Sequence, residues 1–145
     1  MRYASFWKRF NAYGYDVLIV QVAALGLVLA FTRLPTLEDF VTLNQAANDW
    51  ASGFTNLSLV LSAAYNIYFV AGSWQATPGK RYCRIIVVNR DGSRLTFTQS
   101  AIRHAASGLS TLAFGLGFLP AAFNAERITL HDMICGTRVV LRNPT

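Results

Sequence analysis

The sequence predicts an all-α membrane protein with three long hydrophobic segments and a small cytoplasmic β-hairpin. Three observations carry that expectation. Of 145 residues, 53% are hydrophobic and only 14% are charged, against about 25% charged in soluble domains. No Asp, Glu, Lys or Arg occurs from Trp50 to Gly79, or from His104 to Ala125. Lys80, Arg81, Arg84, Arg90 and Arg94 crowd one loop between apolar runs, as cytoplasmic loops do. A soluble helical protein is the competing reading, but helices this long and apolar all round rarely stay in water.

A bilayer crossing needs about 20 apolar residues. Segments of about that length fall at 10–32, 54–73 and 101–123. Residues 1–9 form a basic, aromatic lead-in to the first. That run continues through Leu29-Ala30-Phe31-Thr32 and holds Asp16, so it reads as a retained span rather than a cleaved leader. It stops at Arg33-Leu34-Pro35, where proline ends the helix. Thr36 is placed to cap a short amphipathic helix starting at Leu37, with Phe40 and Val41 on the same face; an ordinary loop is the alternative. Trp7, Trp50 and Trp74 flank the first two spans, as interfacial tryptophans do.

Arg84 to Asn89 is rich in β-branched residues, Asp91-Gly92 supplies a turn, and Arg94 to Thr98 reads as a return strand. Together they predict a hairpin over about 84–98. A further β-branched run, Thr137 to Leu141, would help it as a third strand, since an isolated hairpin is marginal in water.

Loop 33–53 sets Arg33 against Glu38, Asp39 and Asp49, whereas loop 74–100 sets five Lys/Arg against Asp91. Counting Lys and Arg puts the second loop and the N-terminus in the cytoplasm, and the membrane is expected to be a plasma (inner) membrane. Three full crossings would then leave the C-terminus outside. Arg127, Arg138 and Arg142 near that end favour the cytoplasm instead. Gly115, Gly117 and Pro120 allow the third segment to break or re-enter.

Asp16 carries the most information. A carboxylate near the centre of a membrane helix costs roughly 2.5–3.5 kcal/mol on insertion scales, so it needs a partner, water or a task. Arg9 precedes it by seven residues, which puts both on one helix face, two turns and roughly 10 Å apart. They are therefore expected to share a third partner rather than to pair. Asp132 is the candidate, and with a cytoplasmic C-terminus it could meet Arg9 there. A buried ion pair that fixes helix assembly and a proton or cation site both remain open, and the shallow depth of Asp16 favours the structural role.

Ser58, Ser62 and Asn66 form a polar stripe on the second span, and Ser107, Thr111 and Gly115 a small-residue stripe on the third. Such stripes are either hydrogen-bonding glue or the lining of a polar path. Thr77-Pro78-Gly79-Lys80 lacks the remainder of a nucleotide loop and reads as a rigid membrane-edge turn, with Lys80 and Arg81 beside lipid head groups. Cys83 and Cys135 are expected as cytoplasmic thiols. His104 and His131 have no ligand spacing, so no metal or other cofactor is expected. With no nucleophile–base arrangement, neither is an enzyme. The charge of +6 belongs to the loop bias, so no nucleic acid partner is expected.

The ordered set FWKRFNAYGYD, WQATPGKR, VVNRDGSRLT and HDMICGTRVV resembles the RDD family of small membrane proteins, over Phe6 to about Leu141. The family is named for one arginine and two aspartates, which the resemblance assigns to Arg9, Asp16 and Asp132. Its C-terminal motif falls on Gly136 and Thr137. The resemblance implies one membrane domain over 1–145, linked to cation/proton or small-solute transport or serving as an assembly module. Partners would be the bilayer, a homo-oligomer or another membrane protein.

Overall fold

The computed structural model describes residues 2–112 and 128–142. Two helices long and apolar enough to cross a membrane form its body. Helix α1 runs Phe6–Phe31 and α3 runs Gln45–Ala71, so each covers about 40 Å at 1.5 Å per residue. The Ser5 hydroxyl opens α1 by accepting the Lys8 amide, and the Asn44 side chain opens α3 by accepting that of Ala47. Both helices start earlier than the apolar runs they contain, because these caps extend them into polar residues.

Helix α1 buries Ala12, Asp16, Val20, Ala24 and Val28. The four-residue repeat makes one narrow seam, packed against α3 and the short helix at Pro78–Tyr82, and at Ala12 the short side chain accompanies the close approach of Gly79 in that helix. Outside the seam α1 is open: Leu18, Val22 and Phe31 are mostly exposed. Such apolar faces suit lipid, not water. Between the spans, α2 (Leu37–Thr42) is held by a capping box joining Thr36 and Asp39. Phe40 sets its ring edge against Trp50, while Leu37 and Val41 are exposed.

A short helix, α4 (Pro78–Tyr82), follows α3 and leads into β1 (Ile85–Asn89). The partner of β1 is β2 (Thr137–Leu141), antiparallel, with Ile85 opposite Leu141 and Asn89 opposite Thr137. Residues near the N-terminus lie along the other side of β2, through a bridge from Tyr3 to Val140 and the bond from the Ala4 amide to the Val139 carbonyl at 3.0 Å. Ala4, Ala12, Val70, Ile85, Val87, Leu95 and Val139 make the core where this sheet meets the ends of α1 and α3.

The hairpin over 84–98 is therefore corrected. The turn exists: Gly92 has φ +87° and the Ser93 amide bonds the Asp91 carboxylate at 2.9 Å. The return strand does not. Phe97 and Thr98 open α5 (Phe97–Leu112). The Thr96 amide bonds the Gln99 side chain at 2.9 Å, and the Gln99 amide bonds the Thr96 hydroxyl at 3.2 Å. This reciprocal capping outcompetes the β preference of Leu95, Thr96 and Phe97. The C-terminal run, expected as a third strand, is the partner.

Helix α5 packs on α3, and α6 (Leu130–Ile134) packs on α5. The two flanks of the third apolar segment thus meet at one end of the molecule, beside the sheet. Its glycine- and proline-containing part, with the expected break, lies outside the described residues.

Candidate functional site

Two separate carboxylate centres lie at the sheet end of the helices. The first surrounds Asp132, which is fully buried. Arg9 Nη1 bonds its Oδ2 at 2.7 Å. Arg103 bonds its Oδ1 through Nη2 at 2.8 Å and Nε at 3.1 Å. The Thr137 hydroxyl donates to Oδ1 at 3.2 Å, and the Thr129 amide to Oδ2 at 3.5 Å. Gly136 makes this geometry reachable: its φ of +63° turns the chain from α6 into β2 and sets Thr137 beside Asp132. Burial alone would raise the Asp132 pKa, but the Arg103 and Arg9 charges outweigh it and hold the carboxyl well below its usual range. His131 stands 3.9 Å from Asp132. Burial and the Arg103 charge push its imidazole down to about 4, so the neutral ring makes no ion pair at pH 7; its Nε2 lies 2.9 Å from the Thr129 hydroxyl.

The second centre is Asp16. Its Oδ1 accepts from the Tyr65 hydroxyl at 2.8 Å and from the Gly79 amide at 2.8 Å. Its Oδ2 accepts from the Thr77 hydroxyl at 2.5 Å. Lys80 Nζ stands 3.9 Å from Oδ2 and 3.5 Å from the Asn66 amide oxygen. The local cause is the start of α4: Thr77 caps it, and Pro78 fills the first position, where no amide hydrogen is needed. Gly79 then lies so close to α1 that a Cβ there would sit 2.6 Å from both the Ala12 carbonyl oxygen and Asp16 Oδ1.

Sequence spacing separates Arg9 from Asp16, as the structure does, but the shared partner is corrected. Arg9 goes to Asp132, while Asp16 goes to α3 and α4. The lipid-facing role of Lys80 is corrected too: its side chain is only 16% exposed and turns to Asp16 and Asn66. Arg81 instead lies over the Trp74 ring, 4.3 Å from its centroid. Two members escaped sequence reasoning. Tyr65 carries no signal among the other aromatics. Arg103 does carry one, being the sole charged residue between Arg94 and Glu126; a lone charge beside an apolar run needs a partner there as at Asp16.

Between α1, α3 and α5 lies a cavity of about 630 Å³ that reaches both centres. Ser58, Ser62 and Asn66 line it together with Lys80, Arg103 and His104. The Asn66 amide also donates to the Ser62 carbonyl at 3.0 Å. The buried Ser58 hydroxyl has no hydrogen-bond partner among the described residues. Ser107 lines the cavity from α5; the side chain of Thr111 and the whole of Gly115 lie outside the described residues.

Comparison with known proteins gives relatives but no activity. The chain is 32% identical over 149 residues to the uncharacterized protein YxaI of Bacillus subtilis (strain 168), covering 96% of this chain and 97% of that one. It is 29% identical over 147 residues to the uncharacterized protein YckC of the same organism, covering 97% of this chain and 86% of that one. No solved structure matches. The RDD family pattern spans residues 3–136. That match takes in α1 with Arg9 and Asp16, the capped turn at Thr77, and α6 with Asp132, so the chain belongs to the RDD family.

Proposed function

We propose that this chain is an integral membrane protein that holds a small polar solute between α1, α3 and α5, as one step of solute movement and without chemistry on the solute. The cavity of about 630 Å³ carries the reading: it has the volume of a small-molecule site, and polar side chains line it where lipid-facing helices would be apolar. The Lys/Arg bias of the 74–100 loop supports a cytoplasmic position for the sheet end and the N-terminus, in a plasma membrane. Few helices per chain support a homo-oligomer or a membrane-protein partner to complete a path. Cation or proton exchange is the weaker form, because both carboxylates are engaged by donors on each oxygen and a hard cation needs free oxygen ligands.

The same saturation favours a second reading, an assembly module whose charges only lock the helices. Proteoliposomes separate the two. Flux of phosphate, acetate, glycerol and rubidium is compared with empty vesicles and with Ser62→Leu, which fills the cavity. A wild-type signal lost in Ser62→Leu supports solute movement. Wild type at the empty-vesicle baseline for every probe overturns it and leaves assembly.

A further inference from the structure

We infer that the cavity takes an anionic group, a carboxylate or a phosphate, at the Lys80 ammonium. The inference rests on the solute-binding reading and names the solute class. Charge balance is the first observation. The two centres bring together Arg9, Lys80 and Arg103 with Asp16 and Asp132, three cations against two carboxylates. Arg9 and Arg103 close on Asp132 at 2.7 and 2.8 Å. Among the described residues Lys80 has no such contact: its nearest acceptors there stand at 3.5 and 3.9 Å, and Asp16 already takes three shorter bonds. Among the described residues one positive charge at the cavity wall is therefore under-compensated in a low-dielectric setting, where that is costly.

The donors around it are the second observation. Arg103 uses Nε and Nη2 on Asp132, and Nη1 makes no hydrogen bond among the described residues. The Ser58 hydroxyl, about two helical turns along α3 from Asn66, is unpartnered among the described residues. Ser62 from α3 and His104 from α5 also line the cavity. A carboxylate or phosphate oxygen at Lys80 would accept from the ammonium and neutralise the surplus charge, and the other donors lie along the cavity for the rest of the solute. A cation would add to that surplus, and a neutral solute would leave it standing. Burial pushes the Lys80 pKa down to about 8, with Asp16 opposing and Arg103 adding to the fall, so the ammonium remains charged at neutral pH.

The anion can come from solution or from a lipid head group, and two arms separate these sources. Purified protein in non-ionic detergent is titrated with sodium phosphate, sodium acetate and glycerol, reading heat and Tm. The same protein in phosphatidylcholine nanodiscs, with and without phosphatidylglycerol, is assayed for lipid that survives washing. Variants are Lys80→Met, Lys80→Arg and Ser62→Leu, each checked for helix content. Phosphate or acetate binding that weakens about tenfold or more in Lys80→Met, persists in Lys80→Arg and vanishes in Ser62→Leu is the expected result for a soluble anion. Retained phosphatidylglycerol that excludes phosphate, with the same variant order, is the expected result for a head group. If Lys80→Met does not fold, the Arg and Ser62→Leu variants decide. Glycerol bound while phosphate, acetate and phosphatidylglycerol all match the blank overturns the anion but leaves a solute site. No probe bound overturns both.

Discussion

Arg103 closes on one oxygen of Asp132 with two donors, Nη2 at 2.8 Å and Nε at 3.1 Å, while Arg9 takes the other oxygen. Removing one member of a buried pair leaves the rest charged and unmatched, at about 3–5 kcal/mol. Asp132→Asn and Arg103→Met should each lower stability by that order, read as Tm in detergent or as trypsin resistance. Arg103→Lys should rescue poorly, because a lysine cannot reproduce the two-donor contact. Full stability in Asp132→Asn would remove the clamp from the account of the fold.

Gly79 should tolerate no side chain. An added Cβ meets the Ala12 carbonyl oxygen and Asp16 Oδ1 at 2.6 Å, so Gly79→Ala must push α4 from α1 or displace the Asp16 carboxylate. Overpacking of this kind costs typically 1–3 kcal/mol. Pro78→Ala, which only loosens the unfolded chain's restriction, should cost under about 1 kcal/mol. Equal Tm values for the two variants would contradict the close approach.

Acid should act through His131 first. Its pKa is 6.5 ordinarily and about 4 in the fold, so between those values the unfolded chain binds more protons. Stability therefore falls as pH drops from about 6.5 to about 4. His131→Gln should flatten that stretch of a pH–Tm curve. Asp132 acts lower: its folded pKa is held below the ordinary 3.8, so its contribution is present above that value and is lost only in stronger acid. A curve identical in wild type and His131→Gln would refute the buried neutral ring.

Cys83 and Cys135 flank the paired strands, Cys83 before β1 and Cys135 before β2. Single-cysteine variants should label with an impermeant maleimide from the same side of sealed vesicles, expected to be the cytoplasmic one. Both thiols are half-buried and their pKa values are raised, by burial first, so labelling should be slow at neutral pH and faster in alkali. Labelling from opposite sides would be incompatible with the β1–β2 register.

The parts legible in the sequence are those with a charge or a period. The two spans follow from the charge gaps and apolar runs, and the pairing of Arg9 with Asp132 from a charge that needs an opposite. The partners of Asp16 carry no such mark. They are two hydroxyls and one backbone amide: Tyr65 from α3, and Thr77 with Gly79 from the start of a five-residue helix whose motif reads locally as a turn. Thr96 and Gln99 carried a helix-start signature inside a run of strand formers, and local capping decided against β propensity. Strand pairing itself is non-local: the Asp-Gly turn pointed to the nearest run, while β1 joined the distant one.

The bond between Arg9 and Asp132 joins residues 123 positions apart, and residues 2–4 lie against β2. During synthesis residues 2–9 therefore wait for residues 132–141. Until Asp132 and β2 are made, the guanidinium of Arg9 stands without its carboxylate and β1 has an open edge. Contacts this distant close slowly. A chain stalled before Asp132 would expose two arginines and an unpaired strand together, which makes the α6–β2 segment the clasp by which a finished molecule differs from an abandoned one.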